Sequence, residues 1–291
     1  MRIILLFALF IFTICMPYVY AQNVKYSPAW FGPNANPVPK FTDARIADKT
    51  TLQVMGDYYF GYGDETVNGY LKLEVPLLRN RISIKAWSSF LEHYQVSDSI
   101  SNLRDMNGNT KGRANGDFYI QTRISILKER NLLPAIILNS TLKTASGTNF
   151  KERRYFDTPG YYFDMEIAKS IFLKNKILKE IRWVADIGFL CWETTNSVQN
   201  DALMYGGKLI LGNEYWQWEN TLAGYQGWMH KNPNYGSDYG DNPLIYQSKI
   251  YYKSKYINLF TQYQYGLRDF PYHQLRIGTE IKLEKLTPHY K

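Results

Sequence analysis

The chain of 291 residues holds two cysteines and four histidines, and beyond its first 22 residues it has no apolar run long enough for a membrane-spanning helix, which needs roughly 18 residues. Each scarcity excludes something. Cys15 falls in the N-terminal apolar run, so a chain trimmed there keeps Cys191 alone and can form no intramolecular disulfide. Export without a disulfide framework argues against a small stapled extracellular module. With no long apolar run, any residence in a membrane has to come from strands. Motifs for RNA or DNA are also absent, although the formal net charge is +8. The basic residues gather in short connections, Arg79-Asn80-Arg81, Lys128-Glu129-Arg130, Lys174-Asn175-Lys176 and Lys253-Ser254-Lys255. These read as solvated turns facing headgroups or water, and no nucleic-acid partner is expected.

What is present starts with a signal peptide. Arg2 precedes the apolar run Ile3 to Cys15, and Val19-Tyr20-Ala21 forms a small-residue cleavage site. Residues 1–21 are therefore expected to be removed after Ala21. Cys15 follows Phe12-Thr13-Ile14, which lacks the small residue a lipidation site needs just ahead of its cysteine. Residues 22–49 carry Pro28, Pro33, Pro37 and Pro39 around Trp30-Phe31-Gly32 without any period. They read as an extended periplasmic leader in preference to a segment folded into a barrel mouth. Aromatic residues make up 16% of the chain, with 25 tyrosines and 7 tryptophans. Such rings suit a membrane interface, where the ring lies in apolar surroundings and its polar tip reaches water.

From Thr50 onward the apolar residues recur at every second position. Leu275, Ile277, Thr279, Ile281 and Leu283 share one face, and Arg276, Gly278, Glu280 and Lys282 take the other. The same rhythm is found in about twelve segments of roughly 10 to 13 residues, the length of a tilted membrane-spanning strand. The connections alternate between short ones (near Leu78–Asn80, Glu129–Asn131, Asn175–Ile177, Gly212–Asn213 and Ser254–Tyr256) and mostly longer ones (95–114, 145–160, 195–201, 227–243 and 267–271), only the first, near Gly63–Glu65, being brief among the latter. An up-and-down barrel in the outer membrane has this asymmetry, with short periplasmic turns and longer outer loops. The fold class is accordingly all-β: a closed antiparallel up-and-down transmembrane β-barrel over residues 50–291, in the outer membrane of a Gram-negative bacterium. The chain departs from the barrel pattern of ending on a strand with a terminal aromatic, since it runs on past Leu283 to Tyr290-Lys291, and the signal read by the assembly machinery is expected inside the strand instead.

The phase of the alternation assigns an inward face. Expected to line the lumen are Asp57, Lys72, Glu74, Arg81, Lys85, Arg123, Lys143, Asp164, Glu166, Arg182, Asp186, Lys208, Glu219, Lys249, Arg276 and Glu280. Both signs occur in similar numbers, so charges can pair across the lumen and crowd it, whereas a strongly selective open pore tends to show one sign at its constriction. Tyr225, Trp228, Tyr235, Tyr239, Tyr246, Phe270 and Tyr272 could form an aromatic mouth or an interface girdle. Catalysis finds little support. Ser88-Ser89, Glu92 and His93 are the best local grouping, but Ser89 and His93, read on one face, stand about 13 Å apart along a strand. Asp105, Asn107 and Asn109 imitate the start of a calcium loop but lack its glycine and distal glutamate. No catalytic, cofactor or metal residues are assigned. The expected partners are outer-membrane lipid, the barrel-assembly machinery and a small solute.

One hairpin carries a resemblance. Gly116-Asp117-Phe118 opens a strand, Leu133-Pro134-Ala135 precedes the return strand, and Thr141-Leu142-Lys143-Thr144-Ala145-Ser146-Gly147 ends it. This stretch resembles the phenol-degradation (meta-pathway) family of outer-membrane proteins. The resemblance implies a barrel channel for a hydrophobic or aromatic compound and brings no catalytic residues. The expected function is a channel or transporter for a small solute, the alternatives being a non-conducting structural or adhesive barrel and, less favoured, a lipid-modifying barrel enzyme using His93 or His273.

Overall fold

The computed structural model describes residues 27–194, 198–227 and 239–288. The signal peptide with its cleavage site and residues 22–26 lie outside the described residues, as do Trp228, Tyr235 and the last three positions. A short 3-10 turn, Pro28–Trp30, precedes the strands. These are β1 (Thr51–Phe60), β2 (Asp64–Leu78), β3 (Ile82–Val96), β4 (Lys111–Ala114), β5 (Phe118–Leu127), β6 (Ala135–Lys143), β7 (Gly160–Phe172), β8 (Glu180–Thr194), β9 (Val198–Gly212), β10 (Trp216–Gly227), β11 (Leu244–Tyr252), β12 (Ile257–Arg268) and β13 (His273–Lys282). One short helix, α1 (Asp98–Leu103), sits between β3 and β4.

The sheet closes on itself, because β1 pairs with β13 as well as with β2. Strands β4 and β5 both pair with β3, so they form one wall position interrupted at Asn115-Gly116-Asp117, and the barrel has twelve antiparallel strands. Closure leaves no free sheet edge, so strand backbone groups can pair within the wall. Among the described residues no helix is long and apolar enough to cross a membrane.

Side chains sort as the period of two demands. Along β13, Gln274 and Arg276 are buried in the lumen, while Leu275 and Ile277 point outward at 47% and 71% exposure. Val54, Leu71, Ile187, Leu203 and Leu259 are exposed in the same way on their strands. An outer face this apolar over a whole barrel has no counterpart in a soluble monomer and matches a hydrocarbon surround. Replacing Ile277, near the middle of β13, with lysine is expected to cost about 2–4 kcal/mol in a lipid bilayer, whereas lysine at Leu132, in a connection, costs about 0–1. Unfolding midpoints in urea with the protein in vesicles check the pair, and equal costs at both sites would contradict a lipid-facing wall.

Short connections gather at one end of the barrel (79–81, 128–134, 173–179, 213–215 and 253–256) and most of the longer ones at the other. The connection expected over 195–201 is shorter than that, since β8 and β9 leave only residues 195–197 between them. Two further expectations are corrected. Arg81 belongs to the turn before β3, where its backbone N–H donates to Leu78 O at 2.9 Å, and it is exposed; the strand period was extended one residue too far. Within β3, Ser89 and His93 do not share a face. A β-bulge, where Gly69 opposes Leu91 and Tyr70 opposes Ser89, turns Phe90 and Leu91 both outward. Ser89 and Glu92 then face the lumen and His93 faces out.

The largest departure concerns residues 27–49. They run lengthwise inside the barrel, from Thr50 at the short-turn end to Ser27 at the long-loop end, instead of hanging free as a leader. The physical reason lies in composition. Trp30, Phe31, Val38 and Phe41 are all buried in this position, and each would expose apolar surface outside it, at a cost of about 1.5–3 kcal/mol for a large side chain. Val38, Phe41 and Ala44 pack with Tyr59, Tyr162 and Trp192 of the wall, and Ala29, Trp30, Phe31 and Ala35 pack with Phe156. Phe41 lies over Gly206, where a β-carbon would collide with its ring, so the absent side chain of β9 makes the seat. The chain also closes over the short-turn end, where Thr287 Oγ1 accepts from Thr50 N at 2.9 Å and Lys49 pairs with Glu284.

Candidate functional site: the plugged lumen

An extended segment has no internal hydrogen-bond ladder, so its backbone groups need partners from the wall. Residues 41–45 find them among inward charges. Glu166 on β7 accepts from Thr42 N at 2.7 Å, Thr42 Oγ1 at 2.8 Å and Ala44 N at 2.9 Å. Arg123 on β5 donates to Arg45 O at 2.7 Å and to Thr42 Oγ1. Arg182 on β8 donates to Asp43 O at 2.7 Å and Ala44 O at 3.3 Å, and Lys208 on β9 to Phe41 O at 2.8 Å. Four neighbouring stretches of wall therefore clamp five residues of the segment.

These charges are also paired among themselves. Arg123 bridges Glu166 at 3.1 Å and Glu74 at 3.2 Å, and Lys85 stands 3.7 Å from Glu74. Arg182 pairs with Glu129 from the β5–β6 turn at 2.6 Å. Across the barrel seam Arg276 forks onto both oxygens of Asp57, with Nη2 at 2.6 Å from Oδ2, and its guanidinium lies 4.7 Å over the ring of Tyr70. Lys143 meets Asp117 at 2.9 Å, in the hairpin that carries the family resemblance. Lys208 and Glu219 approach to 3.8 Å, and Glu280 accepts from Gln53 and Asn258 at 2.5 and 2.7 Å. Asp164 accepts from Asn139 at 2.5 Å, while the buried carboxylate of Asp186 accepts no hydrogen bond among the described residues. Of the sixteen residues expected on the inward face, all but Arg81 lie on it.

The long-loop end holds a second cluster that the strand period does not reveal. Arg154, between β6 and β7, is fully buried and donates to Glu92 Oε1, Asp64 Oδ2 and Thr66 Oγ1, each at 2.7 Å. Arg104, just after α1, reaches the same Asp64 oxygen at 2.5 Å and Tyr272 Oη at 2.6 Å. Tyr155 Oη donates to Glu92 Oε2 at 2.8 Å. The N-terminal segment is part of this knot. Asn34 Nδ2 donates to Glu92 at 2.7 Å, Gly32 N to Arg153 O at 2.8 Å, and Tyr272 Oη to Phe31 O. A β-carbon on Gly32 would fall 2.6 Å from Arg154 Cζ, so the guanidinium lies flat against a residue without a side chain.

The aromatic mouth is present in part. Tyr225, Phe270 and Tyr272 are buried at this end, and Tyr62 sits edge-on to Tyr239 with centroids 5.0 Å apart. Tyr246 instead belongs to the outward face, its hydroxyl 2.6 Å from Asn220. The calcium-like loop is a tight turn, with Asp105 and Asn107 in the left-handed region and Asn109 Nδ2 3.2 Å from Glu152. Of the described histidines neither comes together with Ser89, since His93 points out and His273 lies among Phe60, Tyr263 and Tyr265.

With the segment in place, the lumen keeps a cavity of about 150 Å³ on the long-loop side of the clamp and a more open vestibule of about 500 Å³ toward the short turns. Lys72, Lys85, Lys208, Glu219 and Lys249 line both. Phe41 and Thr42 of the segment line both as well.

Neither a family model nor a curated protein matches the sequence. Solved structures do match in fold. An outer membrane channel from Pseudomonas putida F1 superposes with a TM-score of 0.54 at 13% identity, covering 84% of this chain and 100% of that one. The NanC porin superposes with a TM-score of 0.51 at 12% identity, covering 80% of this chain and 100% of that one. At such identities the likeness is one of fold: a closed twelve-strand barrel of the outer-membrane kind.

Proposed function

We propose that this protein is an outer-membrane channel for a small solute, closed in the conformation described by its own N-terminal segment. The observation that carries the reading is the way the segment is held. It joins the barrel covalently only through Thr50, and its core of residues 41–45 is fastened by hydrogen bonds from inward charges to its backbone. A lumen meant only to be filled would be built more simply from apolar side chains, since buried ion pairs add little net stability over well-packed hydrophobes. Charges that pair with one another and also hold a strand of chain can rehydrate once that strand leaves. The position of Phe41 and Thr42, which line both the cavity and the vestibule, supports the same reading. The resemblance of the Gly116–Gly147 hairpin to the phenol-degradation family points to a hydrophobic or aromatic solute.

Reconstitution into planar bilayers tests the proposal. Full-length protein is expected to show a closed baseline with infrequent steps, and proteoliposomes a slow influx of small solutes. Absence of both steps and influx, in the full chain and in one lacking residues 22–49, would overturn the channel in favour of a structural or adhesive barrel.

A further inference from the structure

The cavity on the long-loop side of the clamp has a cationic and an aromatic part to its lining. In the first, Lys72 of β2, Lys249 of β11 and Arg276 of β13 project inward, and Lys40 of the N-terminal segment joins them. Arg276 is neutralised by Asp57; the three lysines form no ion pair within 4 Å among the described residues, and Glu219 acts on Lys249, Glu74 and Glu280 on Lys72, and Asp57 on Lys40 only at longer range. Lys249 donates to Tyr251 Oη at 2.5 Å and lies 4.1 Å over the rings of Tyr251 and Phe260, while Lys40 and Lys72 make neither a hydrogen bond nor an ion pair there. Next to Lys72, as its cross-strand partner, Trp87 of β3 stacks on Tyr119 of β5 with centroids 5.2 Å apart and planes 8° from parallel. Beside that pair, Tyr162 of β7 stands edge-on to Trp192 of β8 at 6.1 Å.

Elsewhere in this lumen positive groups are matched by carboxylates, as with Arg123, Arg182 and Lys143. With six cationic side chains on its lining against the two carboxylates of Asp117 and Glu219, the hollow keeps a surplus of positive charge that low-dielectric walls concentrate and that an anion entering the cavity would relieve. The apolar half specifies the rest of that anion. A cavity of about 150 Å³ is the size that accommodates a benzene-sized body, and flat aromatic walls favour a flat partner at stacking distance.

We infer that this cavity binds a small organic acid, its carboxylate held among Lys40, Lys72 and Lys249 and its planar body against Trp87 and Tyr119. The inference deepens the solute reading and rests on it for its role in transport, but the site can be tested without any flux. Because Lys40 belongs to the N-terminal segment, the acid contacts the barrel wall and the plug together.

Calorimetric titration of the detergent-folded full chain with benzoate and with benzyl alcohol, its uncharged counterpart, is the test. Benzoate is expected to bind at least tenfold more tightly, with an affinity that falls as salt rises. The double variant Lys72→Gln/Lys249→Gln is expected to lose tenfold or more for benzoate and nothing for benzyl alcohol. Should it fail to fold, Lys40→Gln, which leaves the barrel wall intact, is expected to show a loss of several-fold. Equal affinity for the two probes, undiminished benzoate binding in the variants, or no benzoate binding at millimolar concentration would each overturn the site. Benzoate binding without conductance would support the site while contradicting the channel.

Discussion

Replacing Arg154 with methionine is expected to lower the unfolding free energy by about 3–5 kcal/mol, the cost of removing one partner from a buried ion pair. Its guanidinium is fully buried and meets Asp64 and Glu92 at 2.7 Å each. Burial works against its charge, but the carboxylates of Asp64 and Glu92 more than offset this and hold it above its ordinary value. Without Arg154, Asp64 keeps Arg104, and Glu92 keeps Tyr155 and Asn34 as neutral donors. Glu92 therefore becomes the uncompensated charge, and Arg154→Met/Glu92→Gln is expected to recover a large part of the loss. Urea titrations followed by the shift in gel mobility between folded and heat-unfolded barrel check both variants. A loss below about 1 kcal/mol in the single variant, as for an exposed pair, would mean that the knot is hydrated.

The second large effect is expected at Glu166, on plug occupancy more than on barrel stability. Its carboxylate accepts from two backbone N–H groups, a hydroxyl and a guanidinium. Glu166→Gln keeps the volume but turns charge-assisted bonds into neutral ones and presents N–H donors to a site made of donors. A hydrogen bond to a charged group contributes about 1.5–3 kcal/mol against about 0.5–1.5 for a neutral one. A combined loss of about 2–3 kcal/mol shifts the balance between seated and released segment by roughly 30-fold to 150-fold, at 1.4 kcal/mol per factor of ten. The expected result is a matching rise in open probability and faster trypsin cleavage after Lys40 and Arg45 in the folded barrel. Unchanged cleavage and conductance would show that the clamp does not hold the segment.

How much of this was legible in the sequence depends on which residues carry a period. Strands of a barrel leave a strong signal because one face meets lipid and the other does not, so Asp57, Glu166, Arg182 and Arg276 could be placed inward from alternation alone. The period fails at its own interruptions. The bulge at Phe90 moved His93 to the face opposite Ser89, and Arg81 fell one residue beyond its strand. Residues 27–49 obey no period, and four prolines mark them only as not a strand. Their buried aromatics, Trp30, Phe31 and Phe41, were the available hint that they belong inside. Arg104 and Arg154 sit in connections whose side chains have no phase to read, so their meeting with Asp64 and Glu92 depends on long-range closure. Lys40, Lys72 and Lys249 converge from the segment, β2 and β11, so their shared hollow likewise depends on closure and not on period.

Closure by residues 27–49 of a path that the barrel itself leaves open is the core of the proposed function. It is tested most directly by single-channel conductance of the full chain and of a chain lacking residues 27–49, in the same bilayer and salt, after both are shown to fold as barrels by gel mobility. The expected result is a steady conductance in the shortened protein at least tenfold above the time-averaged conductance of the full chain. Equal conductance, or none from a shortened barrel that is correctly folded, would contradict the account.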